Sequence, residues 1–439
     1  MRSKGLLTAS FLLLVLTGVI WWSNKKAATA DKMPVEKTTT KLLSIPEDQI
    51  QLIEIKKRAG ESIHLQRNDS KWEIAAAKPL RADPDAVSSM LSTLSSLSSD
   101  RTIDEKATRL EQYGLTQPAI ELSITDKNKR NTSLLIGDDT PAGTAVYAAI
   151  AGDPRVFALS SYKKSSFDKS ANDLRDKRLV PFDSDKVTRI ELQSKKQTIE
   201  FARDKNQWQI VRPSALRADQ SAVEELLRNL RDAKMDLNAA DDEKKIAAAF
   251  NSAALLATAR VTDASGAQEL LVRKSKDDFF AKSTAVEGIH KVPGSVATSL
   301  EKSLDDFRTK KLFDFGFADP NKVEFHDGSK SYFLTRSGSD WWTNGTKLDP
   351  GTVSPLVDRI RDFSANKFAE SGFGGSSMEL TVTSDGGKRV EKVVLSKIGD
   401  KYLAKRGNEP DLYEVNASSV TELQKSVADL KPAPPPSKK

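Results

Sequence analysis

Histidines and paired carboxylates are the side chains in this chain whose chemistry suits acid–base catalysis or metal binding. The three histidines, His64, His290 and His326, lie in separate strand-like stretches rather than at a shared spacing. The adjacent carboxylates of IGDDTPAG, residues 136–143, stand beside glycine and proline, which is typical of a turn between strands. Loops that bind hard cations usually place more oxygen ligands at alternating positions. We therefore interpret these residues as strand and turn positions and predict no metal site.

Motifs of the common enzyme classes do not occur in the sequence. It has no glycine-rich loop ending in Lys-Ser or Lys-Thr, no G-x-S-x-G and no H-E-x-x-H. Because the chain has no cysteine, disulfides, thiolate ligands and a cysteine nucleophile are excluded. The stretch SGFGGSS, residues 371–377, is a weak nucleotide motif, and we interpret it as a loop. We predict no catalytic, cofactor-binding or metal-binding residue and a protein that is not an enzyme.

Tryptophans are candidates for binding rather than catalysis. Trp72, Trp208 and Trp341 occupy matching positions in RNDSKWEI, RDKNQWQI and RSGSDWWT. Exposed aromatic rings stack on sugars or bases, but a tryptophan repeated between a hairpin and a helix start favours a core anchor. Trp342 has no counterpart in the other two segments. We therefore expect Trp342 to be the exposed tryptophan of the set.

Two clusters of cations share the pattern D-[LF]-R-x-K-[RK]-L-x-x-F. Their basic residues are Arg175, Lys177, Arg178, Arg308, Lys310 and Lys311. They could bind an anionic partner or lipid headgroups, or they could pair with acids between consecutive repeats and set the angle of the repeats. We favour pairing, because the pattern is truncated where a neighbouring repeat is missing: KLLSI, residues 41–45, has only its later half, and the last copy stops at Asp429-Leu430.

The elements that position these residues occur three times. The octets LRADPDAV (80–87) and LRADQSAV (216–223) are nearly identical, and Asp349 repeats their aspartate four residues before a valine. In each copy this aspartate precedes apolar residues at spacings of three and four, which predicts a capped amphipathic helix. Segments of alternating apolar and polar residues on both sides of each helix predict antiparallel strands.

These patterns predict an α+β protein with three tandem repeats, each an antiparallel β-sheet unit with two helices, after one N-terminal transmembrane helix. A chain of 439 residues is long enough for several cores. The predicted segments are the anchor 1–22, a stalk 23–41, repeat units 42–178, 179–311 and 312–430, and a Pro-rich tail 431–439.

The anchor is predicted from GLLTASFLLLVLTGVIWW, residues 5–22, which carries no charge and has basic residues on both sides. At about 1.5 Å per residue the run spans roughly 27 Å, close to the hydrocarbon thickness of a bilayer. The alternative is a cleaved signal peptide, since Ala28-Thr29-Ala30 resembles a cleavage site. We expect the large domain that follows to lie outside the cytoplasm.

The tracts YGLTQPAIELSI, LLIGDDTPAG and LRDKRLVPFDSDKVTRIEL resemble the bacterial family called domain of unknown function 4340. The resemblance extends over nearly everything after residue 41 and is clearest in the first repeat, because the other two lack YGL-x-x-P and IGD. It implies a single-span, membrane-anchored component, often associated with ABC-type transport systems related to those of gliding motility. The family carries no known catalytic residues.

We therefore expect a membrane-anchored, non-enzymatic accessory or scaffold protein of a bacterial envelope or ABC-type transport complex. It would sit in the bacterial inner (cytoplasmic) membrane with a single pass and contact membrane-protein or transporter partners. The 68 basic and 61 acidic residues are interspersed, so the net charge of +7 predicts no nucleic-acid partner. We identify no small-molecule substrate and no cofactor. The alternative is an envelope-located binding protein for cell-wall glycan or anionic lipid, and an enzyme ranks third.

Overall fold

The computed structural model describes residues 39–194, 197–237, 243–407 and 409–435. The predicted anchor and all of the predicted stalk except residues 39–41 lie outside the described residues. Within the described residues, no helix is long and apolar enough to cross a bilayer. The contacts divide the chain into two compact units, with the division between Lys177 and Arg178.

Three antiparallel sheets make up the described chain, as the α+β prediction requires. The strands of the first sheet are β1 (Ile50–Lys57), β2 (Ser62–Asn68), β3 (Lys71–Ile74), β4 (Leu80–Arg81), β5 (Arg101–Asp104), β6 (Ile120–Asp126), β7 (Asn131–Asp139), β8 (Ala145–Ile150) and β9 (Val156–Ser160). Their order is β4-β3-β2-β1-β6-β7-β8-β9-β5. The helices of this unit are α1 (Pro84–Ser95), α2 (Ser161–Phe167) and α3 (Ala171–Leu174).

The second sheet has eight strands in the same hairpin arrangement. They are β10 (Arg189–Ser194), β11 (Thr198–Asp204), β12 (Gln207–Arg212), β13 (Leu216–Arg217), β14 (Ala254–Asp263), β15 (Gly266–Ser275), β16 (Asp278–Ser283) and β17 (Ile289–Val292), in the order β13-β12-β11-β10-β14-β15-β16-β17. The helices are α4 (Gln220–Arg231), α5 (Glu243–Ser252), α6 (Gly294–Leu300) and α7 (Leu304–Phe307).

The third sheet has nine strands and the strand order of the first. They are β18 (Lys322–Asp327), β19 (Lys330–Ser337), β20 (Asp340–Thr343), β21 (Thr346–Lys347), β22 (Lys367–Ala369), β23 (Met378–Ser384), β24 (Arg389–Ile398), β25 (Lys401–Arg406) and β26 (Leu412–Asn416), in the order β21-β20-β19-β18-β23-β24-β25-β26-β22. The helices are α8 (Pro350–Arg361) and α9 (Ala417–Ala428).

The repeated aspartate begins the first long helix of each unit. The Asp83 side chain accepts hydrogen bonds from the backbone N–H groups of Asp85 and Ala86, which would otherwise lack partners in the first turn. Asp219 and Asp349 cap α4 and α8 in the same way. The apolar residues at spacings of three and four are buried against the sheet, for example Val87, Met90, Leu91 and Leu94 in α1. Each sheet thus has one face on a helix-covered core.

The prediction of two helices per repeat unit is correct only for the third repeat unit, residues 312–430. Among the described residues the first unit has three helices and the second has four. In both units a capping box, formed by Ser170 with Asp173 and by Ser303 with Asp306, begins a separate short helix before the unit ends. In the described part of the third unit no such box occurs, and α9 continues unbroken to Ala428. The additional helix α5 of the second unit packs its Phe250 under the guanidinium of Arg273.

The end of each unit pairs with its own helix cap. The backbone N–H groups of the capping aspartates donate to Leu174, Phe307 and Lys431, with N···O distances of 2.8, 2.7 and 2.8 Å respectively. In the third unit, Ala433 N also donates to Lys347 O at 2.9 Å. The first residues of the predicted Pro-rich tail therefore occupy the position that the junction segment occupies in the other units.

Candidate functional site

A cleft of about 830 Å³ opens within the second compact unit, between the second and third sheets. Its walls are the cap loop before α4, residues 309–317 and the loop that carries Glu409 and Asp411. A cleft of this size accommodates a small ligand or a short segment of a partner. Because the cap loop and the 309–317 segment belong to the repeated pattern, the cleft is a product of joining two consecutive units.

Arg217 connects the two sheets at the floor of this cleft. Its Nη1 donates to Asp314 Oδ2 at 2.7 Å, and its Nη2 donates to Tyr413 Oη at 3.0 Å. Its Nε lies 3.3 Å from Glu409 Oε2. Although burial disfavours the charge of Arg217, the carboxylates of Asp314 and Glu409 outweigh burial and raise its pKa. The arginine therefore remains a permanent cation between the sheets.

A second arginine completes the network from the side of the third sheet. Arg406 is buried, and its Nη2 donates to the buried carboxylate of Glu391 at 2.6 Å. Arg406 Nη1 lies 3.3 Å from Asp314 Oδ2 and 3.2 Å from Glu409 Oε1. The backbone N–H of Asp314 also donates to Glu391, at 3.0 Å. The acids at the cleft floor are thus neutralised by arginines within the fold.

The basic junction residues separate into two groups. Arg308 pairs with Asp411 at 2.8 Å, and its guanidinium lies 3.5 Å from the centre of the Phe368 ring. Its backbone forms a bridge with Ala218 of the second unit, as Arg175 does with Ala82 in the first. The side chains of Lys310 and Lys311 make no hydrogen bond or ion pair to any residue that the structure describes.

Phe317 stands at the rim of the cleft with 98% of its surface exposed. Its loop is held by Arg361, whose Nε donates to Gly316 O at 2.8 Å and whose Nη2 donates to Asp319 Oδ1 at 3.1 Å. Gly316 has a φ of +71°, a conformation that glycine adopts without a steric penalty. A fixed backbone thus presents an aromatic ring to solvent.

Phe317 and Arg217 are not among the functional residues predicted from the sequence. The sequence distinguishes Phe317 from its equivalents in the other repeats. The three repeats align without gaps through this segment, so the equivalent positions can be read directly. The equivalent positions in the first two units are Glu47 and Ser184. A large apolar side chain at a repeat position that is otherwise polar is a sign of a specific role. Arg217 gave no such signal, since its acidic partners lie 97 and 192 residues away in the sequence.

The three histidines lie in three different sheets. His64 is on β2 of the first sheet, His290 on β17 of the second and His326 on β18 of the third. His290 bonds to Glu287 O at 2.9 Å and His326 to Ser331 Oγ at 2.8 Å. Among the residues that the structure describes, no group of three or more possible metal ligands comes together.

The repeated tryptophans face the core. Trp208 and Trp341 are buried, and Trp72 is half-buried against the first core. Trp208 Nε1 donates to Glu224 at 2.7 Å, and the guanidinium of Arg203 lies 4.7 Å from the indole centre. Arg67 and Arg203 also donate to backbone carbonyls of the turn before the first strand of their units, those of Asp48 and Ser184 among them. The prediction that Trp342 is the exposed tryptophan of the set is wrong, because Trp342 is half-buried like Trp72. It lies on the face of β20 opposite Trp341.

Two segments of the chain, residues 72–209 and 208–383, match the family described as Domain of unknown function (DUF4340). The chain belongs to the DUF4340 family. The two matches begin at Trp72 and at Trp208, which are equivalent positions of consecutive repeats. Each DUF4340 match therefore starts within the third strand of one sheet unit and continues into the next unit.

No curated protein matches the chain. Among solved structures, a DNA polymerase sliding clamp from Pseudomonas aeruginosa with ligand has 9% identity over 85% of this chain and 93% of that chain, with a TM-score of 0.18. The DNA polymerase III subunit beta from Pseudomonas aeruginosa has 9% identity over 85% of this chain and 94% of that chain, with a TM-score of 0.15. Scores this low establish no common fold.

The DUF4340 tracts YGL and IGD of the first unit contact each other. A Cβ on Gly137 would lie 2.1 Å from the carbonyl oxygen of Tyr113, and one on Gly114 would lie 2.3 Å from Asp138 Cγ. Arg58 joins the tracts by pairing with Asp138 at 2.8 Å. The glycines are therefore required for close packing of the two tracts.

The prediction of a turn for residues 136–143 is wrong in its first half. The strand β7 continues to Asp139, and the turn follows it. The strand tolerates its two carboxylates because Arg58 pairs with Asp138 and Lys164 lies 3.5 Å from Asp139. The SGFGGSS segment is a loop, as predicted, and Gly374 N donates to Ser396 Oγ at 3.2 Å.

Proposed function

We propose that this DUF4340 protein is a membrane-anchored, non-enzymatic accessory or scaffold protein of a bacterial envelope or ABC-type transport complex. It acts by protein–protein interaction. The observation that carries the proposal is the exposed ring of Phe317 on a loop held by Arg361. Rigid aromatic side chains that can be buried by a partner supply much of the binding energy in protein interfaces.

The charges around the cleft support an interaction role over a catalytic one. Catalytic carboxylates need a proton to gain or lose, and those of Asp314, Glu391 and Glu409 are engaged with Arg217 and Arg406. Their geometry suits holding two sheets in a fixed orientation. A fixed orientation in turn keeps the rim of the cleft, including Phe317, ready for a partner.

The proposed function takes place at a membrane, because the chain carries an apolar N-terminal segment of spanning length. The apolar run of residues 5–22 would anchor the chain in the inner membrane by a single pass, with the sheet units outside the cytoplasm. Protease added to spheroplasts tests the orientation, since it should degrade the sheet units only if they lie outside. Full protection in spheroplasts, followed by digestion after lysis, would place them in the cytoplasm.

Co-purification of Phe317→Ala and Glu47→Ala variants tests the interaction. The full chain carries an affinity tag and is purified from cells in mild detergent, with quantitative mass spectrometry of the retained proteins. We expect Phe317→Ala to reduce a specific membrane-protein partner by about tenfold, the effect of losing about 1.4 kcal/mol at an interface anchor. Glu47→Ala, at the equivalent position of the first unit, should retain that partner. Equal retention by both variants would count against the proposed site.

A further inference from the structure

The solvent face of the third sheet carries a strip of aromatic side chains on three adjacent strands. Trp342 lies on β20, Phe333 on β19 and His326 on β18, all on the face opposite the core. Phe333 is 43% exposed, and the rings of His326 and Phe333 are 5.3 Å apart in a T-shaped arrangement. In the backbone register Trp342 is opposite Thr335, which places it diagonally from Phe333 on the same face.

This strip is absent from the other two sheets of the same chain. The repeat alignment gives the residues at the three positions as Glu73, His64 and Lys56 in the first unit and Gln209, Glu200 and Gln193 in the second. A purely structural requirement of the fold would recur in every unit, as the core tryptophan does. The aromatic strip therefore reflects a property that only the third unit has.

The charges that flank the strip are paired, whereas Lys405, on β25 of the same face, makes no ion pair to a described residue. Lys322 pairs with Glu324, and Lys392 pairs with Glu379 at 2.7 Å. Between the ion pairs, Thr335 and Thr381 add hydroxyl groups to the face, as β18 pairs with both β19 and β23. Ligands rich in phosphate bind through several cations that are free to contact them, and the described cations beside the strip are engaged in ion pairs. Nucleic acid and anionic lipid are therefore poor ligands for it.

We propose that the outer face of the third sheet binds an uncharged polysaccharide strand through Trp342 and Phe333. Sugar rings present an apolar face of C–H groups that packs on an aromatic side chain, while their hydroxyl groups bond to neutral and paired polar residues. Trp342 and Phe333 stack on the sugars, and Glu324 and Thr381 bond to hydroxyl groups. This site does not include Phe317. The sugar-binding proposal can therefore be tested independently of the proposed protein interaction.

Binding to purified cell-wall sacculi tests this site. The full chain in mild detergent is pelleted with sacculi, and soluble N-acetylglucosamine oligosaccharides are added as competitors. We expect the protein to pellet and the oligosaccharides to release it. Salt should have little effect, because no free cation contributes to binding. No pelleting, or release by salt and not by oligosaccharide, would overturn the proposal.

Substitutions of the strip residues test whether the aromatic strip is the binding site for sacculi. Trp342→Gln introduces the residue that the second unit has at this position, and combined with Phe333→Ala it should weaken pelleting by about tenfold or more, as expected for lost stacking. Gln209→Ala and His64→Ala are the matched controls in the other units and should bind as the unmodified chain does. Thermal unfolding of each variant shows whether it is folded. Equal pelleting by the folded double variant and the controls would show that the strip is not the site.

Discussion

Arg217 Nη1 and Asp314 Oδ2 meet at 2.7 Å, although the two residues belong to consecutive repeats. Arg217 precedes the capping aspartate of the second unit, and Asp314 leads into the first strand of the third. Arg406 shares Asp314 from the opposite side. The charge network around Asp314 therefore links the two sheets, in addition to the Arg308–Asp411 pair, and its loss should affect both units together.

Arg217→Ala should destabilise the second compact unit. The substitution leaves Asp314 and Glu409 with one cation fewer in a site where the Arg217 side chain is only 21% exposed. Removing one partner from such a network costs about 2 kcal/mol or more. Urea unfolding followed by tryptophan fluorescence measures the loss, since Trp208 and Trp341 are both buried there.

Lys347→Ala is the matched control for this prediction. Lys347 occupies the equivalent position in the third unit, where its ammonium pairs with Asp340 at a more exposed site. Exposed pairs contribute about 0 to 1 kcal/mol, so this variant should unfold close to the unmodified chain. If both variants unfold at the same urea concentration, Arg217 does not couple the sheets.

Deletion of residues 431–439 should destabilise the third unit. It removes the Lys431 carbonyl that accepts from Asp349 N and the Ala433 N–H that donates to Lys347 O. Two backbone hydrogen bonds contribute about 1 to 3 kcal/mol together. Hydrogen exchange should become faster at Leu348, Asp349 and the first turn of α8.

Deletion of only residues 436–439 is the control, since it leaves every described contact of the tail in place. Its exchange pattern should match that of the full chain. Unchanged exchange after the longer deletion would mean that the tail contributes nothing to the unit.

Gly137→Ala should destabilise the first unit by about 2 to 3 kcal/mol, because a Cβ would meet the Tyr113 carbonyl at 2.1 Å and this atom belongs to the backbone. Gly375→Ala is the control: its Cβ would have no atom within 4 Å. Thermal unfolding of the two variants should differ by several degrees. Equal unfolding temperatures would show that the contact between the DUF4340 tracts is loose.

Asp306 should make the second unit sensitive to acid. The carboxylate accepts hydrogen bonds from the Ser303 hydroxyl and backbone N–H, both at 2.7 Å, and these bonds lower its pKa. A group with a lowered pKa in the folded state stabilises the fold above its ordinary pKa and loses that contribution as the pH falls through the folded value. Asp306→Asn should therefore reduce the free energy of unfolding at pH 7, and the difference from the unmodified chain should shrink as the pH falls below the ordinary pKa of an aspartate, about 3.9.

Asp277→Asn controls for the loss of a carboxylate, since the Asp277 side chain makes no hydrogen bond or ion pair to a described residue. Its effect should be small at both pH values. A difference for Asp306→Asn that is the same at pH 7 and at pH 3 would contradict the role of the ionised carboxylate.

The repeats made much of the fold predictable. The aspartate before each amphipathic run gave the starts of α1, α4 and α8, and the alternating segments gave three antiparallel sheets. Both signals are local, because they depend on residues within one turn or one strand. The short helices α3 and α7 were missed although their capping boxes are written in the sequence as S-x-x-D.

The candidate site was less predictable because it depends on contacts between distant segments. Periodicity shows which face of an element is buried, but it does not show that Arg217 reaches Asp314 and Glu409. Likewise, alternation assigns Phe333 and Trp342 to a solvent face only once the register of β18, β19 and β20 is known. The positions at which the third repeat differs from the other two include Phe317 and the residues of the aromatic strip.

Photo-cross-linking at position 317 in living cells tests the proposed function most directly. A photoreactive phenylalanine analogue replaces Phe317 in one strain, and in matched strains it replaces Glu47 or Ser184, the equivalent residues of the other units. After irradiation, we predict one discrete cross-linked membrane-protein species from position 317 and none of that mass from positions 47 and 184. No cross-linked species at 317, or the same species at all three positions, would contradict the account.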